Sequence, residues 1–161
     1  MLIFTDGSVD TKTRTGFGAY LAINDMTLPI ADLTAKVKLK QFKNTSSTKL
    51  ELQTLLWALD DVVLLTIEKP MSVTVYSDSQ NIIGLPARRS GLEQREYCAH
   101  NKKRLNNAEF YQQFFNMIDQ LECHIIKVDG HKPGHLKNDV DRIFALVDKA
   151  SRLALRKFNS M

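Results

Sequence analysis

Val73-Thr74-Val75-Tyr76 is a β-branched and aromatic run that leads directly into Ser77-Asp78. Such residues favour strands, so this run predicts a short β-strand. A helical pattern precedes the run, and strand patterns precede that helix. A strand that returns after a helix usually lies parallel to its neighbour in the same sheet. The sequence therefore predicts a mixed α/β fold.

The residues before this strand repeat with the period of an α-helix. Thr45-Ser46-Ser47-Thr48 offers hydroxyl groups for an N-cap. The apolar residues that follow recur at helical spacing: Leu50, Leu52, Leu55, Leu56, Leu59, Val62 and Val63. Pro70 is expected to end the segment. Glu51 falls in the first turn, where the helix dipole stabilises a carboxylate, so a purely structural role stays open for it.

Three antiparallel strands are predicted before this helix. Leu2-Ile3-Phe4 and residues 18–23 are apolar and β-prone, and the polar loop between them, residues 10–16, makes them a hairpin. Residues 33–42 alternate between apolar and polar, which predicts a third strand with one buried face. Its other face would carry Lys36, Lys38 and Lys40. These lysines either contact nucleic acid or discourage aggregation, and we favour the second role.

Asp78 comes at the carboxyl end of the predicted parallel strand, directly before a helix that begins near residues 79–81. Ligands of open α/β sheets bind at the carboxyl ends of the parallel strands. Aspartate also caps helices often. Taken alone, the residues favour the capping role over a catalytic one.

Residues 85–107 form a basic segment, which we interpret as a short helical insertion. Its cations are Arg88, Arg89, Arg95, Lys102, Lys103 and Arg104, interleaved with Tyr97 and His100. Clustered cations among aromatic groups suit the tracking of a phosphate backbone. A solvated helical arm is the alternative, and we favour nucleic-acid binding.

A helix, a strand and a closing helix are predicted after the insertion. Residues 108–121 have helical period, with their phenylalanines expected in the core, and residues 124–128 follow as the last strand. A flexible loop over residues 130–135 leads to a helix that runs to about Arg156, with Asn138 and Asp141 as its candidate cap. Asp141 and Asp148 are seven residues apart and therefore share a face of that helix.

The composition is that of one globular domain over residues 1–161. Of these residues 43% are hydrophobic and 25% charged, with a net charge of +4, and the length supports one core. Cys98 and Cys123 are too few for a disulfide framework, which favours a reducing, cytoplasmic setting. No apolar stretch reaches the length of a membrane span, and the first residues predict a strand where a signal peptide would lie. Without a heptad repeat, we expect a monomer with no membrane contact.

Several motifs together resemble the type I ribonuclease H family over essentially the whole chain. They are Thr5-Asp6-Gly7-Ser8, Thr48-Lys49-Leu50-Glu51-Leu52, Ser77-Asp78-Ser79-Gln80, the basic insertion, and Gly130-His131 before the last helix. Each could arise by chance, but their shared order makes the match specific. The resemblance implies a five-stranded mixed sheet, three antiparallel strands followed by two parallel ones, flanked by helices. It also implies an endonuclease that hydrolyses the RNA strand of an RNA-DNA hybrid and leaves 5′-phosphomonoesters.

The resemblance assigns Asp6, Glu51 and Asp78 as metal ligands. Magnesium prefers oxygen ligands, and two ions about 4 Å apart would activate the attacking water and stabilise the leaving oxygen. Manganese accepts the same ligands.

The fourth carboxylate is open between two residues. The family's spacing from the loop histidine favours Asp141, whereas Val147-Asp148-Lys149-Ala150 is closer to the family's local motif. Asp141 also has a capping explanation. We favour Asp148 and keep Asp141 as the alternative.

The resemblance also implies a substrate surface. His131 matches the family's loop histidine, which would move protons or help the product leave. Together with the basic segment, the resemblance gives these substrate-binding residues: Gly7, Ser8, Ser47, Gln80, Arg88, Arg89, Lys102 and Lys103. Hydroxyl groups among them would contact the RNA 2′-OH, which distinguishes RNA from DNA.

Two other functions compete with this interpretation. The same fold and carboxylates serve DNA nucleases and transferases, so the fold alone does not decide the substrate. A catalytically silent hybrid-binding module is the second rival, and the complete set of carboxylates argues against it. The Asp-Gly-Ser and Asp-Ser-Gln settings favour ribonuclease H.

Overall fold

The computed structural model describes residues 1–65 and 71–161. These residues contain five strands and five α-helices. In chain order they are β1 (Leu2–Asp10), β2 (Thr15–Ile23), α1 (Ile30–Lys36), β3 (Lys38–Phe42), α2 (Ser47–Leu65), β4 (Ser72–Ser77), α3 (Gln80–Gln94), α4 (Ala108–Gln120), β5 (Glu122–Lys127) and α5 (Asp139–Asn159), with a single 3-10 turn at Gly134–Leu136. None of the described helices is long and apolar enough to cross a membrane. Pro70, predicted to end the segment after α2, lies outside the described residues.

The strands form a mixed sheet in the order β3-β2-β1-β4-β5. β1 pairs antiparallel with β2, and β2 pairs antiparallel with β3. β4 lies parallel to β1, and β5 lies parallel to β4. The predicted fold class is therefore confirmed: three antiparallel strands are followed by two parallel ones, and helices flank the sheet.

Alternate residues of β1 face two separate hydrophobic cores. Phe4 is buried in the core that α5 covers. Ile3 is buried in the core that α2, α3 and α4 cover. Phe114 and Phe115 of α4 are buried there as predicted, while Phe110 is only partly buried against the same core. Because side chains alternate along a strand, the parity that sends Phe4 toward α5 also sends Asp6 to that face.

The predicted strand over residues 33–42 is wrong in its first half. Residues Ile30–Lys36 form α1, and only Lys38–Phe42 forms β3. The carbonyl oxygen of Pro29 accepts hydrogen bonds from the amides of Asp32 and Leu33, each at 3.0 Å, and so begins a helical turn. Leu33 is fully buried in the core under α5. Tertiary burial of this one leucine overrides the alternating pattern around it.

The predicted lysine face changes with this correction. Lys36 ends α1, so the strand carries only Lys38 and Lys40. Their ammonium groups lie 5.4–5.7 Å from the ring centroids of Tyr20, Phe42 and Trp57. Because β3 is an edge strand, two exposed lysines also protect it against pairing with another chain.

Gly18 tests the packing of α2 on the sheet. A Cβ there would collide with the Thr54 hydroxyl, which is itself held at 2.8 Å by the carbonyl oxygen of Leu50. Gly18→Ala should therefore lower the free energy of unfolding, measured in urea, by about 1–3 kcal/mol.

Gly84 is the matched control, because a Cβ at this position in α3 has no neighbouring atom within 4 Å. Gly84→Ala should raise the free energy of unfolding by up to ~1 kcal/mol through helix propensity. Equal stability of the two variants would contradict the close approach of α2 to β2.

Candidate active site

The register of the two central parallel strands brings Asp6 and Asp78 together. β1 pairs with β4 through Leu2↔Thr74, Ile3↔Val75 and Phe4↔Tyr76. Two residues further along in the same register, Asp6 meets Asp78, which directly follows the end of β4. Both carboxylates thus lie at the carboxyl end of the parallel pair, where ligands of such sheets bind.

α5 delivers a third carboxylate to this pair. Ser8 follows Asp6 on the same face of β1, and its Oγ lies 3.1 Å from the Oγ of Ser151 in α5. Asp148 precedes Ser151 by three residues, about one helical turn. The Asp148 carboxyl group lies close enough to share a hydrogen bond with Asp6, and its charge raises the pKa of Asp78 in addition to the larger effect of burial.

α2 delivers Glu51 from the other side of the sheet. The Ser79 hydroxyl donates a 2.5 Å hydrogen bond to Glu51 Oε2, and the same oxygen of Ser79 accepts from the amide of Ile82 at the start of α3. Ser79 is therefore the N-cap, and Asp78 does not perform the capping role that the residues alone favoured. Asp6, Glu51 and Asp78 line one small polar cavity.

Burial and mutual repulsion shift the ionisation of these carboxyl groups. Burial, followed by the charge of Asp78 and the contact with Asp148, raises the pKa of Asp6 to about 8. Burial, then the charge of Asp148, raises the pKa of Asp78. Burial also raises the pKa of Glu51, although the hydrogen bond from Ser79 opposes this. The ionised forms of these three carboxyl groups are therefore less favourable than those of free carboxyl groups.

The cluster suits a hard divalent cation by its donor chemistry. In the described part of the chain, no three His, Cys, Asp or Glu side chains are already arranged as a finished ion site, so the carboxylates would have to draw together around an ion. Their donor atoms are all oxygen, the type that Mg²⁺ prefers. The raised pKa values show that the site would gain from added positive charge.

A family model provides the classification of this chain. The RNase H model matches residues 1–148, which include all four carboxylates of the cluster. The chain belongs to the RNase H family. Among solved structures, it is similar to one described as the foamy viral protease-reverse transcriptase in complex with dsDNA, with a TM-score of 0.59 and 13% identity over 93% of this chain and 92% of that chain. That likeness shows the fold, and no curated protein matches the sequence.

The two candidates for the fourth RNase H carboxylate have different surroundings. Asp141 forms a capping box with Asn138: its amide donates to Asn138 Oδ1 at 2.9 Å, and its Oδ2 accepts from the Asn138 amide at 3.0 Å. Lys132 Nζ lies 3.2 Å from the same Oδ2. The Asn138 amide, aided by Lys132, lowers the pKa of Asp141. The structure brings Asp148 to Asp6, whereas Asp141 is engaged at the helix start.

The loop after β5 places His131 next to the RNase H carboxylates. A Cβ on Gly130 would lie 3.0 Å from Asp78 Oδ2, so glycine permits the close approach of this loop. The exposed His131 donates its backbone amide to Asp129 Oδ1 at 3.2 Å, and the charge of its imidazole acts on Asp78. His131 and Gln80 line the same open groove beside Asp78.

Some of the predicted substrate-binding residues lie on this surface. Gly7 and Ser8 directly follow Asp6 on β1, and Ser47 is exposed at the first position of α2. Gln80 is exposed at the first position of α3. Gln80 thus lies beside Asp78, Gly7 and Ser8 follow Asp6 along β1, and Ser47 precedes Glu51 by about one turn of α2.

The predicted basic helical insertion, residues 85–107, has a different structure from the one expected. Its first part is the second half of α3, and residues 95–107 form a non-helical segment with a bridge between Cys98 and Arg104. Lys102 and Lys103 are exposed there.

Arg88 and Arg89, the two arginines predicted to bind substrate, contact neighbouring side chains instead. Arg89 forms two hydrogen bonds with Asp119 of α4, at 2.6 and 2.8 Å, and a third with Glu93. Arg88 lies over the ring of Tyr111 and donates to Asn81. Both arginines therefore tie α3 to its neighbours, a role that the clustering of charge did not indicate.

Sequence reasoning missed three residues that support the site. Ser79 holds Glu51, Ser151 holds Ser8, and Arg152 contacts Asp148 at 2.7 Å. The four-residue spacing of Asp148 and Arg152 on a predicted helix could have identified that ion pair. The other two contacts join distant segments, so the sequence carried no local signal for them.

The raised pKa of Asp6 predicts a pH-dependent stability. An unfolded aspartate has a pKa near 3.9, so between about pH 4 and 8 the folded state keeps a proton that the unfolded state releases. Stability in the presence of a chelator should therefore fall as the pH rises through this range. Asp6→Asn should be more stable than the wild type at pH 8 and should show a smaller fall, measured by urea denaturation at pH 5, 6.5 and 8.

Asp32→Asn is the control, because Asp32 is an exposed residue of α1 outside the cluster. This variant should keep the wild-type pH dependence. If Asp6→Asn also kept the full pH dependence of the wild type, the result would contradict the raised pKa of Asp6.

Proposed function

We propose that the protein is a metal-dependent endonuclease that hydrolyses the RNA strand of RNA-DNA hybrids and leaves 5′-phosphomonoesters. The observation that carries this proposal is the convergence of Asp6, Glu51, Asp78 and Asp148 at one end of the β1–β4 pair. Membership of the RNase H family, whose nucleases act on such hybrids, supports the substrate class.

The four carboxylates would hold two Mg²⁺ ions, or Mn²⁺ with the same oxygen ligands. When bound, the ions would supply an activated water and positive charge at the leaving 3′-oxygen. The chain itself orients the ligands. The strand register fixes Asp6 beside Asp78, Ser79 fixes one oxygen of Glu51, and Arg152 fixes one oxygen of Asp148.

His131 would act beside this cluster. Its exposed imidazole lies on the Asp78 side of the site, where it reaches solvent and the cluster from one position. Histidine exchanges protons readily near neutral pH. We assign to it the transfer of protons at the departing 3′-oxygen or assistance in product release.

The polar residues around the cluster would recognise the hybrid. Gly7 and Ser8 follow Asp6, Gln80 lies beside Asp78, and Ser47 begins the helix that carries Glu51; their hydroxyl, amide and backbone groups can bond to ribose 2′-OH groups. Lys102 and Lys103 are exposed and would contact phosphates. Arg88 and Arg89 would first have to leave their present partners.

Cleavage of defined duplexes tests the function directly. We expect the protein to cut the RNA strand of a labelled RNA-DNA hybrid in Mg²⁺ and to stop cutting in chelator. Duplex DNA, duplex RNA and single-stranded RNA should remain intact. Cutting of DNA would favour a DNA nuclease, and hybrid binding without cutting would favour a silent module.

Isosteric substitutions test the ligand assignment. Asp6→Asn, Asp78→Asn and Asp148→Asn should each abolish hybrid cleavage and the rise in melting temperature that Mg²⁺ produces, because each removes a charged ligand. Circular dichroism should show an intact fold.

Asp141→Asn is the matched control on the same helix. It should keep metal-dependent cleavage and lose about 0.5–2 kcal/mol of stability through the weakened cap and the lost Lys132 contact. The reverse result, with Asp141 essential and Asp148 dispensable, would make Asp141 the ligand.

A further inference from the structure

The outward face of α5 carries a basic groove that the four carboxylates leave unexplained. Residues 145, 148, 149, 152, 153 and 156 line it, and their spacing of three and four residues places them on one face of the helix. Lys137, just before the helix, completes the lining. The opposite face of α5 is buried in the core. We call this surface the α5 groove.

The α5 groove has a strong excess of positive charge. Its lining contains four cations, Lys137, Lys149, Arg152 and Arg156, and one carboxylate, that of Asp148. The charge of Lys137 also acts on Asp141, which lies outside the lining. Arg152 forms an ion pair with that carboxylate at 2.7 Å. Within residues 1–65 and 71–161, neither Lys149 nor Arg156 forms an ion pair.

Helix stability does not account for this arrangement. Cations stabilise the last turn of a helix through its dipole, which explains Arg156. Lys149 lies in the middle of α5, where this effect has faded, and Lys137 precedes the N-terminus, where a cation opposes the dipole. Three like charges along one groove also repel one another, so an anionic partner would relieve that repulsion.

The α5 groove is continuous with the candidate active site because Asp148 belongs to both. A polyanion seated in the groove would therefore extend directly from the carboxylate cluster. From Asp148 to Arg156 the helix rises about 12 Å. At roughly 3.4 Å per nucleotide of one strand, this length corresponds to about three or four nucleotides.

We propose that the α5 groove binds the sugar-phosphate backbone of the hybrid on one side of the cleavage site. This inference rests on the proposed function, since it takes the nucleic acid at the carboxylates as its occupant. Lys149 and Arg156 contact phosphates, while Arg152 stays with Asp148. The exposed Leu153 provides an apolar surface for sugar carbons.

The double variant Lys149→Gln/Arg156→Gln tests the α5 groove by hybrid binding. Binding is measured by fluorescence anisotropy in Mg²⁺, in an Asp6→Asn background that prevents cutting. Each lost phosphate contact lowers the slope of log K against log salt by about 0.9, so the slope should become shallower by roughly 2 and Kd should rise about tenfold or more. The substrate is a DNA duplex with four ribonucleotides in one strand, which ends 2 or 12 base pairs beyond the scissile phosphate on either side.

The loss of affinity should appear only when the long extension lies on one particular side of the scissile phosphate, because the short extension does not reach Arg156. In the active background, KM for that substrate should rise while kcat at saturation stays unchanged, since the α5 groove does not touch the reacting atoms. A fall in kcat without a change in KM would overturn the inference.

Lys36→Gln/Lys157→Gln is the matched control. It removes the same charge from exposed residues outside the α5 groove, and Lys157 shares the last turn of α5 with Arg156. An equal loss of hybrid affinity in this control would overturn the inference, as would an unchanged salt slope in the groove variant. Wild-type binding to hybrid without cleavage would overturn the proposed function alone, and absence of all hybrid binding would overturn both.

Discussion

Crowding of buried carboxyl groups at the end of one parallel strand pair is the constraint around which this fold is organised. Burial raises the pKa of Asp6 and of Asp78, and the charge of neighbouring carboxylates adds to the effect. Such a cluster would separate if its supporting elements were loose. Two cores oppose the separation, one on each face of β1. Each fully buried large side chain contributes about 1.5–3 kcal/mol, so a few residues such as Phe4 and Leu52 offset the repulsion.

α5 performs several of these supporting tasks along its length. At its start, Asp141 completes the capping box with Asn138 and holds Lys132, which follows His131 in the loop. Two residues beyond its middle, Ser151 contacts Ser8 of β1 and fixes the height at which Asp148 reaches Asp6. The inner face is apolar and buried, while the outer face is basic. A shift of this helix would therefore move the histidine loop and the fourth carboxylate together.

The sequence predicted those parts of the site that follow from local patterns. The position of Asp78 after a parallel strand followed from the β-branched run before it, whereas Asp6 was assigned by the family resemblance alone. The local motif favoured Asp148 over Asp141, but the spacing from the loop histidine favoured the reverse. The contacts of Asp141 with Asn138 and Lys132, and that of Asp148 with Asp6, distinguish the two residues.

Tertiary contacts explain the other differences. Burial of Leu33 turned part of an alternating segment into a helix. Arg89 was predicted from the clustering of charge to bind substrate, but it donates two hydrogen bonds to Asp119, which lies thirty residues away along the chain. Ser79 replaced Asp78 as the helix cap, and that exchange frees the Asp78 carboxylate for the cluster. In the first two cases contacts with residues distant in sequence decided the outcome.

The distribution of charge creates an electrostatic problem for any polyanionic substrate. The net charge is +4, yet the cluster that would receive a phosphate consists of carboxyl groups, among them Asp6 and Asp78. Many cations elsewhere are engaged, as in the pairs of Arg89 with Asp119 and Lys38 with Asp61. Attraction must therefore come from cations that lie beside the cluster and remain unpaired. Lys149 and Arg156 meet both conditions, and bound divalent ions would reverse the local charge at the point where the phosphate arrives.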